Sequence, residues 1–368
     1  MCRQLNIADT VRLEIGRYKN RKRRKHPVLQ QLFWECTLRC NLHCQHCGSD
    51  CRTEGKVEDM PLHDFLPILD DVAKIAQPHR VMVITTGGEP LARQDIAECG
   101  LEITKRGFIW GMVSNGMLLT ADKLDQLIEA GLKTIAISLD GFKDEHNWMR
   151  GHESSFDKAV AAVRALAERC ITWDVITCVN QRNIGRLDEF KEFLTSIGVK
   201  RWRIFTVFPS GRAKGNEELQ LSPVQLEGVM DFIAAARRDG RIHVSYGCEG
   251  FLGKYEHRVR DHQFFCQAGV HVASILADGS ISGCLSIRSN FHQGNIYKDR
   301  FSDVWLSRFQ EYRNHDWMKT EECASCKFWR YCEGNGMHLR DEEKRLLLCN
   351  LRQLRKGKES DGSLFRRS

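Results

Sequence analysis

From Leu29 to about Gly240 the chain alternates short β-branched or aromatic runs with longer helical patterns, and this alternation restricts its fold more than any other feature. Successive βα units predict an α/β fold with a parallel sheet and right-handed crossovers. A doubly wound sheet and a partial (β/α)6 barrel both fit, and in either one ligands bind at the C-terminal ends of the strands. The predicted strands are Gln31–Cys36, Val81–Thr86, Phe108–Ser114, Thr134–Leu139, Thr172–Val179 and Trp202–Val207. The predicted helices are Leu62–Ala76, Ala92–Arg106, Ala121–Ala130, Phe156–Arg169, Ile184–Ser196 and Pro223–Arg238.

The character of the chain changes after Gly240, where glycine and cysteine become frequent. The segment His271–Ser286 predicts a hairpin with its turn at Asp278-Gly279. A loop-rich segment with little hydrophobic core of its own needs additional cross-links to be stable, and metal sites can provide them. We therefore expect a core at 28–240 and a loop-rich, cysteine-rich extension at 241–350, with a basic N-terminal arm at 1–27 and a basic tail at 351–368.

The chain has 16 cysteines, and their role depends on the cellular compartment in which the protein works. The chain has no apolar run of about 18 residues, so no transmembrane helix is expected. Its first residues lack a hydrophobic stretch followed by a small-residue cleavage site, so we expect no signal peptide and a cytoplasmic location. Clustered cysteines in a reducing compartment more often bind metal or do redox chemistry than form disulfides.

A first group of cysteines follows the first predicted strand directly. Cys40, Cys44 and Cys47 form a CxxxCxxC motif. Zinc sites usually close with four ligands, whereas three thiolates suit a [4Fe–4S] cluster that leaves one iron open. Further polar and glycine motifs follow the next strands, as the fold requires of a ligand site: Gly87-Gly88-Glu89-Pro90, Ser114-Asn115, Ser138 and Arg150.

These motifs, in this order, resemble those of the radical S-adenosylmethionine (SAM) superfamily, and the resemblance extends over nearly the whole chain. It implies that Cys40, Cys44 and Cys47 hold a [4Fe–4S] cluster whose open iron chelates SAM. One electron then splits SAM into methionine and a 5′-deoxyadenosyl radical, which takes hydrogen from an unactivated carbon. The protein itself positions the cofactor and keeps quenching reactions out.

The same resemblance implies which residues bind SAM. The Gly87-Gly88-Glu89-Pro90 segment receives the SAM amino group at its backbone carbonyls. Ser138 and the paired donors of Arg150 contact the SAM carboxylate. His46 occupies a position near adenine, and Ser114 and Asn115 complete the expected site.

The second cysteine group resembles the SPASM extension of peptide-modifying radical SAM enzymes, which carries auxiliary iron–sulfur clusters. By that resemblance an outer cluster is held by Cys323, Cys326, Cys332 and Cys349. An inner cluster is held by Cys248, Cys266 and Cys284. Gly336 stands where the usual pattern has a further cysteine, so the inner cluster is left with substrate, water or a histidine such as His338 as fourth ligand, or is a smaller cluster.

The leading hypothesis is a peptide or protein maturase that forms a crosslink, an epimer or an oxidised residue. Leu285 follows Cys284, where sulfatase-maturing relatives have an aspartate base, so that chemistry is disfavoured. Expected partners are a flavodoxin or ferredoxin as electron donor and a separate leader-binding protein. An enzyme acting on a small molecule, such as a tetrapyrrole precursor, is the first alternative.

The second alternative is a zinc-ribbon module that binds nucleic acid. The net charge is +7, and the run Arg17–His26 is strongly basic. Basic runs can bind nucleic acid. Because no RNA-binding motif accompanies this run, a solvated arm that helps to dock an acidic peptide is the preferred interpretation.

Overall fold

The computed structural model describes residues 7–287 and 290–356. A single ten-stranded sheet runs through the described chain in the order β10-β9-β8-β1-β2-β3-β4-β5-β6-β7. Because its two end strands do not pair, the sheet does not close into a barrel. The strands are β1 Gln31–Thr37, β2 Met82–Gly87, β3 Ile109–Ser114, β4 Leu132–Ser138, β5 Thr172–Val179, β6 Arg201–Thr206, β7 His243–Tyr246, β8 Val272–Ile275, β9 Ser280–Ser282 and β10 Gly294–Asn295.

Helices connect and cover these strands. The long ones are α1 Ile7–Lys25, α2 Leu62–Ile75, α3 Ile96–Lys105, α4 Ala121–Glu129, α5 Lys143–Arg150, α6 Ser155–Ala167, α7 Leu187–Ser196 and α8 Pro223–Asp239. Shorter ones follow in the extension: α9 Phe301–Ser307, α10 Gln310–Arg313, α11 Glu321–Ala324 and α12 Trp329–Cys332. None of the helices within 7–287 and 290–356 has the length and apolarity to cross a membrane.

The predicted α/β core is confirmed. Strands β1 to β6 pair in parallel in chain order, and a helix follows each of them. Local sequence sets several element boundaries: Ser222 caps α8 in a capping box with Gln225, and Pro223 stands at its first position. Trp110 and Trp202 are fully buried, and their indole N–H groups donate to Thr85 and Thr177 on neighbouring strands.

The extension completes both edges of this core. Strand β7 pairs in parallel with β6, and β8 pairs in parallel with β1. Strands β8 and β9 form the predicted hairpin. Since unpaired edge strands expose backbone donors and acceptors, these pairings protect the sheet and tie the extension to the core. The domain limits at 240 and 350 stay predictions.

The N-terminal segment differs from the solvated arm expected at 1–27. In the structure Ile7–Lys25 is a helix whose Leu13 is 1% exposed. Asn20 donates to the carbonyl of Phe264 at 3.2 Å, and the Tyr331 hydroxyl donates to Glu14 at 2.8 Å. Helix α1 is therefore packed on the extension. Residues 1–6 and most of the predicted basic tail, 357–368, lie outside the described residues.

Candidate functional site

The CxxxCxxC loop lies at the C-terminal ends of the central strands, where the fold predicts a ligand site. It leaves β1 and runs along helix α5. The N–H of His43 donates to the carbonyl of Arg150 at 3.2 Å, and the N–H of Gln45 donates to that of Met149 at 2.8 Å. The loop is therefore fixed in place by backbone bonds to a neighbouring element.

Two glycines allow other loops to approach this one closely. A Cβ atom on Gly88, just after β2, would lie 2.1 Å from the carbonyl oxygen of Arg39. A Cβ atom on Gly211, after β6, would lie 2.4 Å from the carbonyl oxygen of Cys47. Only glycine permits such approaches. The predicted Gly87-Gly88 segment therefore packs directly on the cysteine loop.

Each of the three loop sulfurs has an N–H donor. Asn115 Nδ2 lies 3.9 Å from the sulfur of Cys40, Arg150 Nη1 lies 3.7 Å from that of Cys44, and the backbone N–H of Cys51 lies 3.4 Å from that of Cys47. Donors of this kind favour the thiolate. Hydrogen bonding from Cys51 lowers the pKa of Cys47 to about 5, whereas burial raises the pKa of Cys40 to about 12.

Glu89 connects the ends of β2 and β3. It is fully buried, and its carboxylate accepts from the Ser114 hydroxyl, from the Asn115 N–H, both at 2.8 Å, and from the Leu91 N–H at 3.1 Å. Burial raises the pKa of Glu89 to about 6. Because both of its oxygens are engaged by protein donors, Glu89 positions Asn115 beside Cys40.

A buried ion pair holds Arg150 in the site. Arg150 Nε donates to Asp140 at 2.6 Å, and Asp140 also accepts from the backbone N–H of Cys178 at 2.8 Å. Burial alone would raise the pKa of Asp140, but Arg150 holds it below its ordinary value. Asp140 is not among the site residues that the sequence predicts. Its contact with Arg150 depends on the packing of α5 against the end of β4, which no local pattern shows.

His46 and Ser138 lie nearby with fewer contacts. Burial, with Arg150 next, lowers the pKa of His46 to about 4, so its ring is neutral at pH 7. Its buried Nδ1 atom has no hydrogen-bond partner in the described structure. Ser138 ends β4, two residues before Asp140. Their roles toward SAM stay predictions.

The extension brings together two sets of cysteines that the sequence predicts to be cluster ligands. Burial raises the pKa of Cys332. The thiols of Cys349, Cys323 and Cys326 raise it further, so these four cysteines lie close together. Arg340 Nη2 lies 3.9 Å from the sulfur of Cys323.

The second set is Cys248, Cys266 and Cys284. Burial and then Cys284 raise the pKa of Cys248 to about 12, and Cys266 contributes too. Cys248 nevertheless has an accessible surface.

No group of three or more Cys, His, Asp or Glu side chains in residues 7–287 and 290–356 is arranged to hold a single metal ion. A [4Fe–4S] cluster spreads its thiolate ligands over several irons.

Comparison with known proteins identifies the family. The model of the radical SAM superfamily matches residues 34–194, and that of the SPASM iron–sulfur cluster-binding domain matches 266–327. The chain belongs to the radical SAM superfamily and carries a SPASM extension. These domains imply a [4Fe–4S] cluster that binds SAM, together with auxiliary iron–sulfur clusters. The three donor-flanked thiols, and an Arg150 whose Nη2 has no hydrogen bond within the described chain, fit such a cluster and the carboxylate of SAM.

Proteins that are similar in sequence to this chain are named for different reactions. An AdoMet-dependent heme synthase of Methanosarcina barkeri is 25% identical over 323 residues, covering 82% of this chain and 90% of the relative. A PqqA peptide cyclase of Rhizobium meliloti is 24% identical, covering 80% and 78%. Mycofactocin maturase MftC of Mycolicibacterium smegmatis is 29% identical, covering 83% and 77%.

Solved structures share the fold. Native anSMEcpe with bound AdoMet superposes with a TM-score of 0.71 at 20% identity, covering 91% of this chain and 98% of that one. Streptococcus suis SuiB bound to its precursor peptide SuiA gives 0.68 at 16% identity, covering 94% and 81%.

Proposed function

We propose that this radical SAM enzyme modifies a peptide or protein, abstracting a side-chain or Cα hydrogen to form a crosslink, an epimer or an oxidised residue. The bound cluster and SAM supply a 5′-deoxyadenosyl radical for this step. For a crosslink or an oxidised residue, the auxiliary clusters would provide a route for the electron that the substrate radical loses. An epimer requires no such loss, because its radical regains a hydrogen atom. The observation that carries the peptide assignment is the exposed face of helix α1.

Cys40, Cys44 and Cys47 would hold the SAM-binding cluster in this proposal. Asp140 fixes the guanidinium of Arg150 by accepting a hydrogen bond from its Nε. The Nη2 atom of Arg150 would then donate to the SAM carboxylate. Buried donors and acceptors held in this way need no reorganisation when SAM binds. Ser138 would make a second contact with the carboxylate, and the carbonyls of Gly87 and Gly88 would receive the amino group.

Helix α1 presents apolar side chains to solvent on one face. Their spacing of about one helical turn aligns them in a single stripe. Lys22 and Lys25 continue the same face toward the end of the helix. The exposed apolar side chains are Ile7, Val11, Ile15 and Tyr18, with exposed fractions of 86%, 53%, 51% and 72%.

An acidic amphipathic polypeptide is the partner that complements this stripe, because it matches both the apolar side chains and the positive charge. Helix α1 is fixed to the extension through Glu14 and Tyr331, so a peptide bound there is anchored on the auxiliary-cluster side of the molecule.

A small-molecule substrate, such as a tetrapyrrole precursor, is the second candidate. The similarity to proteins named heme synthase favours it. A cavity of about 510 Å³ also opens at the N-terminal ends of the strands, with Phe33, Met82 and Ile84 on its walls. Of the arginines that line this cavity, Arg203 lies farther along its strand, and its guanidinium is already paired with Asp174. The match to both family models argues against the zinc-ribbon module.

The first test is catalytic. Anaerobically reconstituted enzyme with dithionite and SAM is expected to release 5′-deoxyadenosine, measured by liquid chromatography. A Cys44→Ala variant is expected to release none. Undiminished release from that variant would remove the assignment of the CxxxCxxC loop.

The second test separates the substrate classes. The enzyme is coexpressed with the small open reading frames that flank its gene, and the peptides are analysed by mass spectrometry. In parallel, the purified enzyme is incubated with Fe-coproporphyrin III. We expect a peptide mass change that requires Cys44. Consumption of the porphyrin with every peptide unmodified would replace the peptide proposal with the tetrapyrrole one.

The stripe on α1 has a matched control. Val11→Ser/Ile15→Ser is expected to lower peptide modification while leaving peptide-independent 5′-deoxyadenosine release unchanged. Val224→Ser, which alters an exposed apolar residue on α8, is expected to change neither. Equal effects of the two changes would show that the stripe does not bind the peptide.

The remaining elements of the proposal follow from the same chemistry. We propose that the enzyme works in the cytoplasm, where a flavodoxin or ferredoxin supplies the electron and a separate partner binds the leader of the substrate. The core is proposed to span residues 28–240 and the extension residues 241–350.

A further inference from the structure

The inner set of cysteines offers three thiols where a [4Fe–4S] cluster has four corner irons. Cys248, Cys266 and Cys284 come from three separate segments: the turn after β7, the segment before β8 and the end of the β8–β9 hairpin. A fourth ligand has to come from a residue that packs against one of these segments, or from outside the protein.

The turn after β7 packs on Asn335. A Cβ atom on Gly250, two residues beyond Cys248, would lie 2.0 Å from Asn335 Oδ1. Asn350 Nδ2 also donates to the carbonyl of Glu249 at 2.6 Å, which ties this turn to the last described helical segment. The segment that begins at Asn335 is therefore a direct neighbour of the turn that carries Cys248.

The imidazole of His338 occupies the side-chain space of Gly336. A Cβ atom on Gly336 would lie 2.7 Å from His338 Cε1 and 2.9 Å from its Nδ1. Gly336 has φ −76° and ψ 141°, which any residue adopts. The ring of His338, and not the backbone conformation, is what excludes a side chain at position 336.

His338 is buried without hydrogen-bond partners. It is 8% exposed, its ring centre lies 5.2 Å from that of Phe208, and neither ring nitrogen has a hydrogen bond within the described chain. His315 in the same extension is 4% exposed, but its two ring nitrogens bond to the carbonyls of Glu333 and Tyr312 at 2.8 and 2.9 Å. Buried polar groups are normally paired, so His338 has a nitrogen available for another ligand.

We propose that His338 is the fourth ligand of an inner auxiliary cluster held by Cys248, Cys266 and Cys284, its imidazole standing where a side chain at position 336 would otherwise reach. This inference rests on the proposed function, because it requires an iron–sulfur cluster at those cysteines. Imidazole replaces thiolate at some iron–sulfur centres and raises their reduction potential.

The test uses full-length, anaerobically reconstituted protein with Cys40, Cys44 and Cys47 changed to Ala, so that only auxiliary clusters remain. About eight irons per chain are expected from two [4Fe–4S] clusters. Pulsed electron paramagnetic resonance of the reduced protein, grown with [15N]histidine, is expected to show an imidazole nitrogen coupled to a cluster. His338→Cys is expected to abolish this coupling, keep the iron and lower the midpoint potential.

Position 336 supplies a rescue. His338→Ala is expected to lose iron from the inner cluster, and Gly336→Cys/His338→Ala is expected to recover it, because the new thiol enters the space that the ring leaves. Exposed His243→Ala is the control and is expected to change neither iron nor coupling.

The outcomes separate the two proposals. Iron-free protein would refute the auxiliary clusters, and the ligand proposal with them. Eight irons without a histidine coupling, or a coupling and potential unchanged in His338→Cys, would overturn the ligand proposal alone and leave substrate or water at the fourth position.

Discussion

The buried pair between Asp140 and Arg150 permits a quantitative test of how the site is held. Asp140 is 0% exposed and Arg150 is 7% exposed, and their charged atoms are 2.6 Å apart. Removing one partner of a buried ion pair typically costs about 3–5 kcal/mol, because the other charge is left buried. Asp140→Asn removes the charge while keeping an oxygen for the N–H of Cys178.

The cost converts into an expected melting shift. An unfolding entropy of about 2.1 cal/mol/K per residue gives about 0.8 kcal/mol/K for 368 residues. A loss of about 3–5 kcal/mol therefore lowers the Tm by about 4–6 °C. The assay is anaerobic thermal unfolding of the iron-loaded protein, with SAM-dependent 5′-deoxyadenosine release measured in parallel and expected to fall as Arg150 loses its fixed orientation.

The surface pair of Lys143 and Asp157 provides the control. Their side chains are 57% and 56% exposed, and such pairs contribute at most about 1 kcal/mol. Asp157→Asn is therefore expected to lower the Tm by about 1 °C or less. Equal shifts for the two variants would refute the claim that burial makes the Asp140 charge important.

Three further changes test other parts of the site. Gly88→Ala is expected to lower iron loading of the CxxxCxxC loop, measured by iron analysis, because its Cβ would collide with the carbonyl of Arg39; normal loading would contradict the packing argument. Arg24→Gln is expected to lower the midpoint potentials of the auxiliary clusters in redox titration, since it removes a buried positive charge beside them. The raised pKa of Glu89, about 6 against an ordinary 4.5, means that the folded state holds an extra proton between these values, so this group's contribution to stability falls as pH rises through that window. Glu89→Gln is expected to flatten that part of the Tm–pH curve.

The core could be predicted, and its first three cysteines placed together, because these signals are local. Each strand of the β1–β6 core contains a short run of β-branched or aromatic residues that can be recognised without the rest of the chain, and the thiols of Cys40, Cys44 and Cys47 lie within one loop. The pairings of β7 with β6 and of β8 with β1 give no such signal. Strand β8 follows β1 by more than 230 residues, and its register is set by contacts that a sequence pattern does not contain.

The N-terminal helix shows which contacts a charge run alone does not reveal. Most residues of Arg17–His26 are basic, which is typical of a solvated segment. Yet Arg24 is drawn inward: it pairs with Glu333 at 2.8 Å and lies over the ring of Phe265, 5.2 Å from its centre. Glu333 and Phe265 each adjoin a cysteine, one from each auxiliary set.

The position of Arg24 links the N-terminal helix to electron transfer in the proposed enzyme. The guanidinium of Arg24 interacts with the thiols of Cys266 and Cys332 and stabilises negative charge at both. Burial lowers the pKa of Arg24, and these two thiols partly counteract that effect. A cluster gains one negative charge when it is reduced, so a fixed cation nearby favours the reduced form. The same helix carries the exposed stripe proposed to bind the peptide. A peptide that shifts α1 would therefore also move this cation, and substrate binding would change the potentials of the auxiliary clusters through a single rigid element.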